Sequence, residues 1–167
     1  MSQERDEGTN AVDDTDLLEV LDRDTCLELA RTVDVGRVAW AEADAPVQVL
    51  PVNFAFDGDD VIVRTGFGVL LEAVRAGHHL TFQVDSLEQA LRGGWTVLIT
   101  GTAEVVEPGH QAERLGELVR PWAPGPRPVV VRLRADETSG RRLLPHEGGV
   151  DVVRIPWDDG DQADRDQ

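Results

Sequence analysis

Residues 80–105 most limit what this chain can fold into. Leu80, Phe82 and Val84 alternate with Thr81, Gln83 and Asp85, and Trp95, Val97, Ile99, Gly101, Ala103 and Val105 then recur at every second position. A period of two sends successive side chains to opposite faces of a strand, so one face of each segment is directed to a core. The second segment is long enough that it is expected to bend.

The same signal recurs on either side. Gly36–Trp40 and Val47–Phe56 read as strands separated by the polar, proline-containing AEADAP, and Asp57-Gly58-Asp59 makes a tight turn into a third strand, Val61–Thr65. Val129–Leu133 adds another. Helices are short: Asp22 or Asp24 caps one in which Cys26, Leu27, Leu29 and Ala30 face inward, ending near Val33-Asp34. Gly66-Phe67-Gly68 interrupts the sheet, and Leu70, Leu71 and Val74 predict two helical turns before Gly77. Gln111–Arg120 is a third helix, and PWAPGPRP an irregular connection. Together these predict a mainly β domain, five or six mostly antiparallel strands closing into a small barrel with two or three flanking helices. No alternation of strands with long helices points to a doubly wound sheet.

The chain has 167 residues, enough for one domain, with a formal charge of −16. Aspartates and glutamates crowd both ends, so 1–16 and 158–167 read as solvated acidic tails around a domain at 17–157. Nucleic-acid affinity rests on neutralising phosphates, and anionic membranes make the same demand, so neither is an expected partner. No run approaches the roughly 18 apolar residues of a membrane span and no leader pattern opens the chain, so a cytoplasmic protein is expected. Cys26 is the one cysteine and has no disulfide partner; its place in DTCLELA is a buried helical one. The chain contains no lysine, which removes Schiff-base chemistry through that residue. Four histidines show no metal spacing, and no Gly-x-Ser-x-Gly elbow indicates hydrolysis. His78 and His79 read either as proton donors or as pH-sensitive surface groups.

The order of these elements, with Gly36-Arg37-Val38-Ala39, Pro51-Val52-Asn53-Phe54, Arg64-Thr65-Gly66-Phe67-Gly68, Gly94-Trp95-Thr96-Val97 and Gly101-Thr102-Ala103-Glu104, resembles the pyridoxamine 5′-phosphate oxidase-like proteins of the FMN-binding split β-barrel superfamily. Ser139-Gly140-Arg141-Arg142 is a possible fifth motif. The resemblance implies an antiparallel split barrel working as a homodimer, with FMN in a groove between the two copies, a small organic substrate, and NADH or NADPH as a possible electron donor. It places Leu50, Pro51, Val52 and Asn53 at the flavin's polar edge, where an edge-strand backbone supplies hydrogen bonds, and Trp95 and Thr96 at the ring. Arg64, Thr65, Gly66 and Gly68 fall at the phosphate, where a guanidinium and an approachable backbone suit an anion. The residues themselves leave other readings open: Asn53 can satisfy a neighbouring backbone group, Arg64 can form a surface ion pair, and Trp95 can be plain core.

One departure bears on the cofactor. Relatives commonly carry a lysine where this chain has Leu70, and Val69 replaces a frequent small hydroxyl residue. Arg141 or Arg142 from the partner copy, or Arg37, are the candidate replacements. The departure leaves three cofactor expectations, FMN, a deazaflavin coenzyme, or none, and beside the flavin-dependent oxidoreductase it leaves a non-catalytic protein, either a flavin carrier or a cofactor-free scaffold. Pyridoxamine phosphate oxidation itself requires a second phosphate site, and the sequence shows none.

Overall fold

Hydrogen bonding joins nine strands into a single antiparallel sheet in the computed structural model, which describes residues 18–144. The elements run β1 (Leu18–Leu21), α1 (Arg23–Ala30), β2 (Val35–Trp40), β3 (Gln48–Asp57), β4 (Asp60–Thr65), α2 (Val69–Arg75), β5 (Leu80–Glu88), β6 (Gly93–Gly101), β7 (Ala103–Val105), α3 (His110–Leu118), β8 (Val129–Leu133) and β9 (Glu137–Leu143). Across the sheet the order is β1-β9-β6-β5-β2-β3-β4-β8-β7. Only Thr102 separates β6 from β7, so the third strand in that order runs on into the last and the sheet is drawn round into a barrel. The expected tails, and the last part of the expected domain, lie outside the described residues.

The barrel wall of β2, β3, β4, β5, β6–β7 and β8 matches the six strands read from the sequence, including the bend in the longest. At that bend the Thr102 N–H donates to Asp136 Oδ2 at 3.1 Å, and its carbonyl accepts from the Arg134 N–H at 2.9 Å. The sequence expectation falls short in β1 and β9, which extend the sheet beyond the barrel. β9 reads ETSGRRL, with no apolar alternation, because α1 packs so close that a Cβ on Gly140 would stand 2.5 Å from Cys26 Sγ.

Two helices end earlier than expected. Asp22 caps α1 by accepting from the Thr25 N–H at 2.9 Å, but the helix stops at Ala30, where the Thr32 hydroxyl turns back to the Leu29 carbonyl at 2.7 Å. α3 stops at Leu118 because Val119 adopts an extended conformation and is buried beside Ile62, Leu115 and Val130 under the helix. The main core fills the barrel with Val38, Trp40, Phe54, Val61, Val63, Leu80, Phe82, Val84, Val97 and Ile99, closed at one side by Cys26 and Leu27 of α1. Phe54 meets Phe82 edge-on at 4.7 Å between ring centroids. Burial pushes the Cys26 thiol pKa up, so this group is packing material, not a nucleophile.

Candidate functional site

β3 changes partners along its length. Gln48–Asn53 pair with β2, whereas β4 pairs only with Phe54–Asp57, so the first half of β3 has one unpaired edge. Along such an edge alternate residues turn their backbone groups away from the paired neighbour, which makes it a ready hydrogen-bonding surface. A cavity of about 190 Å³ opens there, and Leu50, Pro51, Val52 and Asn53 form one of its walls. Arg64, Thr65 and Leu70 form a second, and Val119, Pro121, Ala123 and Arg127 a third.

The third wall belongs to the proline-rich connection, which the sequence showed only as irregular and which proves to be a strap across the open edge. The Trp122 N–H donates to Asn53 Oδ1 at 2.8 Å, and Asn53 Nδ2 donates to the Asp34 carbonyl at 3.1 Å. Arg64 Nε donates to the Arg127 carbonyl at 3.1 Å, and its Nη1 to that of Gly116 at 3.5 Å. Arg127 Nη1 in turn reaches the carbonyls of Ala123, Pro124 and Gly125 at 2.8, 3.4 and 3.4 Å. No signal in the sequence marked Arg127, because proline-rich segments have no periodicity to show which side chain faces inward.

Seven of the expected site residues therefore line one cavity: Leu50, Pro51, Val52, Asn53, Arg64, Thr65 and Leu70. Gly66, Gly68 and Val69 adjoin it in the chain without lining it. Gly68 is extended, with φ of −172°, and a Cβ there would meet nothing within 4 Å. Leu70 is 3 % exposed and belongs to the main core.

Trp95, Thr96, Arg141 and Arg142 lie on β6 and β9, separated from β3 by β2 and β5. Along the sheet β6 and β9 stand three and four strands from β3, a path of about 14–19 Å at about 4.8 Å per strand. Trp95 packs against the core, and Arg142 pairs with Glu19 at 3.0 Å. Thr96 and Arg141 stand opposite each other on the outer face. So does Arg37, which pairs with Asp85 at 2.9 Å. His78 lies 4.0 Å from Glu42 and takes no part in the cavity.

A larger cleft of about 920 Å³ shares Arg64 with this cavity but opens toward α3 and β7. Glu107, Glu113 and Glu117 line it alongside Arg64 and Arg75, and it has none of the open backbone edge. Its carboxylates make it a poor host for an anion, and the smaller cavity is the better candidate on chemical grounds. Among the described residues no group of three or more histidines, cysteines or carboxylates is arranged to hold a metal, and no helix is long and apolar enough to cross a membrane.

The fold is the split β-barrel of flavin-binding proteins. The sequence model described as pyridoxamine 5′-phosphate oxidase matches residues 22–142, and the chain belongs to the pyridoxamine 5′-phosphate oxidase-like family. An uncharacterized protein of Mycobacterium tuberculosis is 33% identical over 129 residues, which cover 74% of this chain and 84% of that protein. A solved structure from Corynebacterium glutamicum, provisionally named a pyridoxamine 5′-phosphate oxidase, is 27% identical with a TM-score of 0.67, covering 76% of this chain and 98% of its own. An FAD-binding protein of Mesorhizobium loti, 24% identical, superposes with a TM-score of 0.64 over 75% of this chain and 96% of its own.

Proposed function

We propose that the protein is a flavin-dependent oxidoreductase that holds FMN between two copies of the chain, with the cavity at the open edge of β3 taking the phosphate end. One observation carries this reading: the unpaired edge at Leu50–Asn53 on β3 and the Arg64–Thr65 corner at the end of β4 wall a single cavity, closed by the strap. The residues fit the group, since an anion meets guanidinium donors and no carboxylate there, with Leu50 and Leu70 as apolar cover. The FAD-binding proteins of Mesorhizobium loti and Mycobacterium smegmatis, which share the fold, add support.

Small-molecule sites usually enclose about 300–1,000 Å³. The 190 Å³ cavity is below that range, which favours a site finished by a second copy. Thr96 and Arg141 sit on the outer sheet face with the exposed Val20, Val49 and Leu98 and the Arg37–Asp85 pair, the face such a copy would cover. When bound, the flavin supplies hydride or electron transfer to a small organic substrate, with a nicotinamide donor. The chain's part is to orient the polar edge through β3, neutralise the phosphate at Arg64, and keep water out with the strap.

The rival is a cofactor-free scaffold, and a specific observation favours it: both ends of the Asn53 amide are already bonded to backbone. The visible spectrum of the purified protein, followed by titration with FMN, FAD and a deazaflavin coenzyme, separates the two. Micromolar binding of FMN, and its bleaching by NADH or NADPH, is the expected result. Failure to bind any of them establishes the scaffold, and binding of the deazaflavin alone reassigns the cofactor.

A further inference from the structure

We infer that Arg127, on the proline-rich strap, supplies the phosphate-binding cation that Leu70 does not. The identity of the ligand rests on the flavin reading above; the presence of an anion site does not. In a chain of formal charge −16, the cavity at β3 is lined by two arginines and no carboxylate. Arg23, Arg31, Arg37, Arg114 and Arg132 each pair with an aspartate, whereas Arg64 and Arg127 form no ion pair among the described residues. Their contacts are to carbonyl oxygens, which orient a guanidinium without cancelling its charge.

The two arginines are also placed as a unit. Arg64 Nε holds the Arg127 carbonyl at 3.1 Å, and Arg127 Nη1 holds its own loop at the Ala123 carbonyl at 2.8 Å. A guanidinium has five N–H donors in a planar fork, so the Nε and Nη2 of Arg127 and the Nη2 of Arg64 remain for a phosphoryl group, none of them bonded within the described residues. Leu70 is buried in the core and adds no charge to the wall it shares with Arg64, so the second cation comes from Arg127 on the strap. The occupant with matching chemistry is a phosphate ester or pyrophosphate that enters between strand and strap.

The test uses the full chain, with FMN and riboflavin titrated into wild type, Arg127→Gln, Arg127→Lys and the exposed control Arg92→Gln. Charge-assisted hydrogen bonds of this kind predict that Arg127→Gln weakens FMN binding by about 10- to 100-fold. Riboflavin, which lacks the phosphate, shifts by less than about twofold. Arg127→Lys falls between glutamine and wild type, and Arg92→Gln matches wild type. Loss of FMN and riboflavin binding together, or of neither, overturns the inference while leaving the flavin reading intact. If wild type binds no flavin, that reading fails by itself, and inorganic pyrophosphate decides the rest. Thermal stabilisation by pyrophosphate that disappears in Arg127→Gln upholds an anion site, and its absence in wild type removes one.

Discussion

Asn53 accepts the Trp122 N–H at 2.8 Å, a bond between residues 69 positions apart that fixes the strap to the unpaired edge of β3. The same amide donates to the Asp34 carbonyl at the start of β2, so one side chain joins three segments. Asn53→Ala removes both bonds. A loss of about 1–3 kcal/mol in denaturant-derived stability is expected, together with faster proteolysis between residues 119 and 128. Unchanged cleavage there would show that the strap is held by other contacts.

At the far end of β3, Asp57 lies between Arg114 Nη1 at 3.1 Å and Arg132 Nη2 at 2.9 Å. The hydrogen bond from Arg114 and the charges of both arginines hold its carboxyl below the ordinary carboxylate range. A folded-state pKa below the unfolded one means stability that is present above the unfolded value, near pH 3.9, and lost as pH falls through the folded value. Asp57→Asn is thus expected to be less stable than wild type at pH 7, with the gap closing below about pH 4. Paired urea titrations at pH 7 and pH 3 measure it, and a gap constant across both would rule out the ion pairs as its source.

Gly36 on β2 tolerates no side chain. A Cβ there would overlap the Phe82 ring and stand 2.9 Å from the Gln83 carbonyl. Gly36→Ala is expected to cost about 1–3 kcal/mol through overpacking, seen as a lower thermal midpoint with flavin affinity per folded molecule preserved.

The proposed homodimer is tested on the outer face. Leu98→Asp places a charge on the outer face that also carries Val20 and Val49, and sedimentation is expected to shift from dimer to monomer with concurrent loss of flavin binding. A wild-type chain that sediments as a monomer at micromolar concentration would remove the shared groove.

How far the sequence revealed this architecture follows from what each element must satisfy. β5 and β6–β7 bury one face only, so Phe82, Val84, Val97 and Ile99 wrote a clean alternation. β9 wrote none, because Gly140 must admit α1 and its neighbours Ser139 and Arg141 face outward. The backbone wall at Leu50–Asn53 was legible through family resemblance and Arg64 through its setting beside two glycines. Arg127 was not, since its place depends on hydrogen bonds to the strap's own carbonyls, which no local pattern encodes. The use of Asn53 by the strap is likewise a long-range fact, visible only once residue 122 is folded onto residue 53.

Because one strand runs from β6 into β7 with only Thr102 between, the covalent main chain ties the third strand of the sheet to its last and holds the barrel wall closed there. The unpaired half of β3 is a seam in that wall, where no neighbouring strand is hydrogen-bonded on the β4 side. On the reading proposed above, a ligand would enter at that seam by displacing residues 119–128, with the strand pairing of the wall left intact.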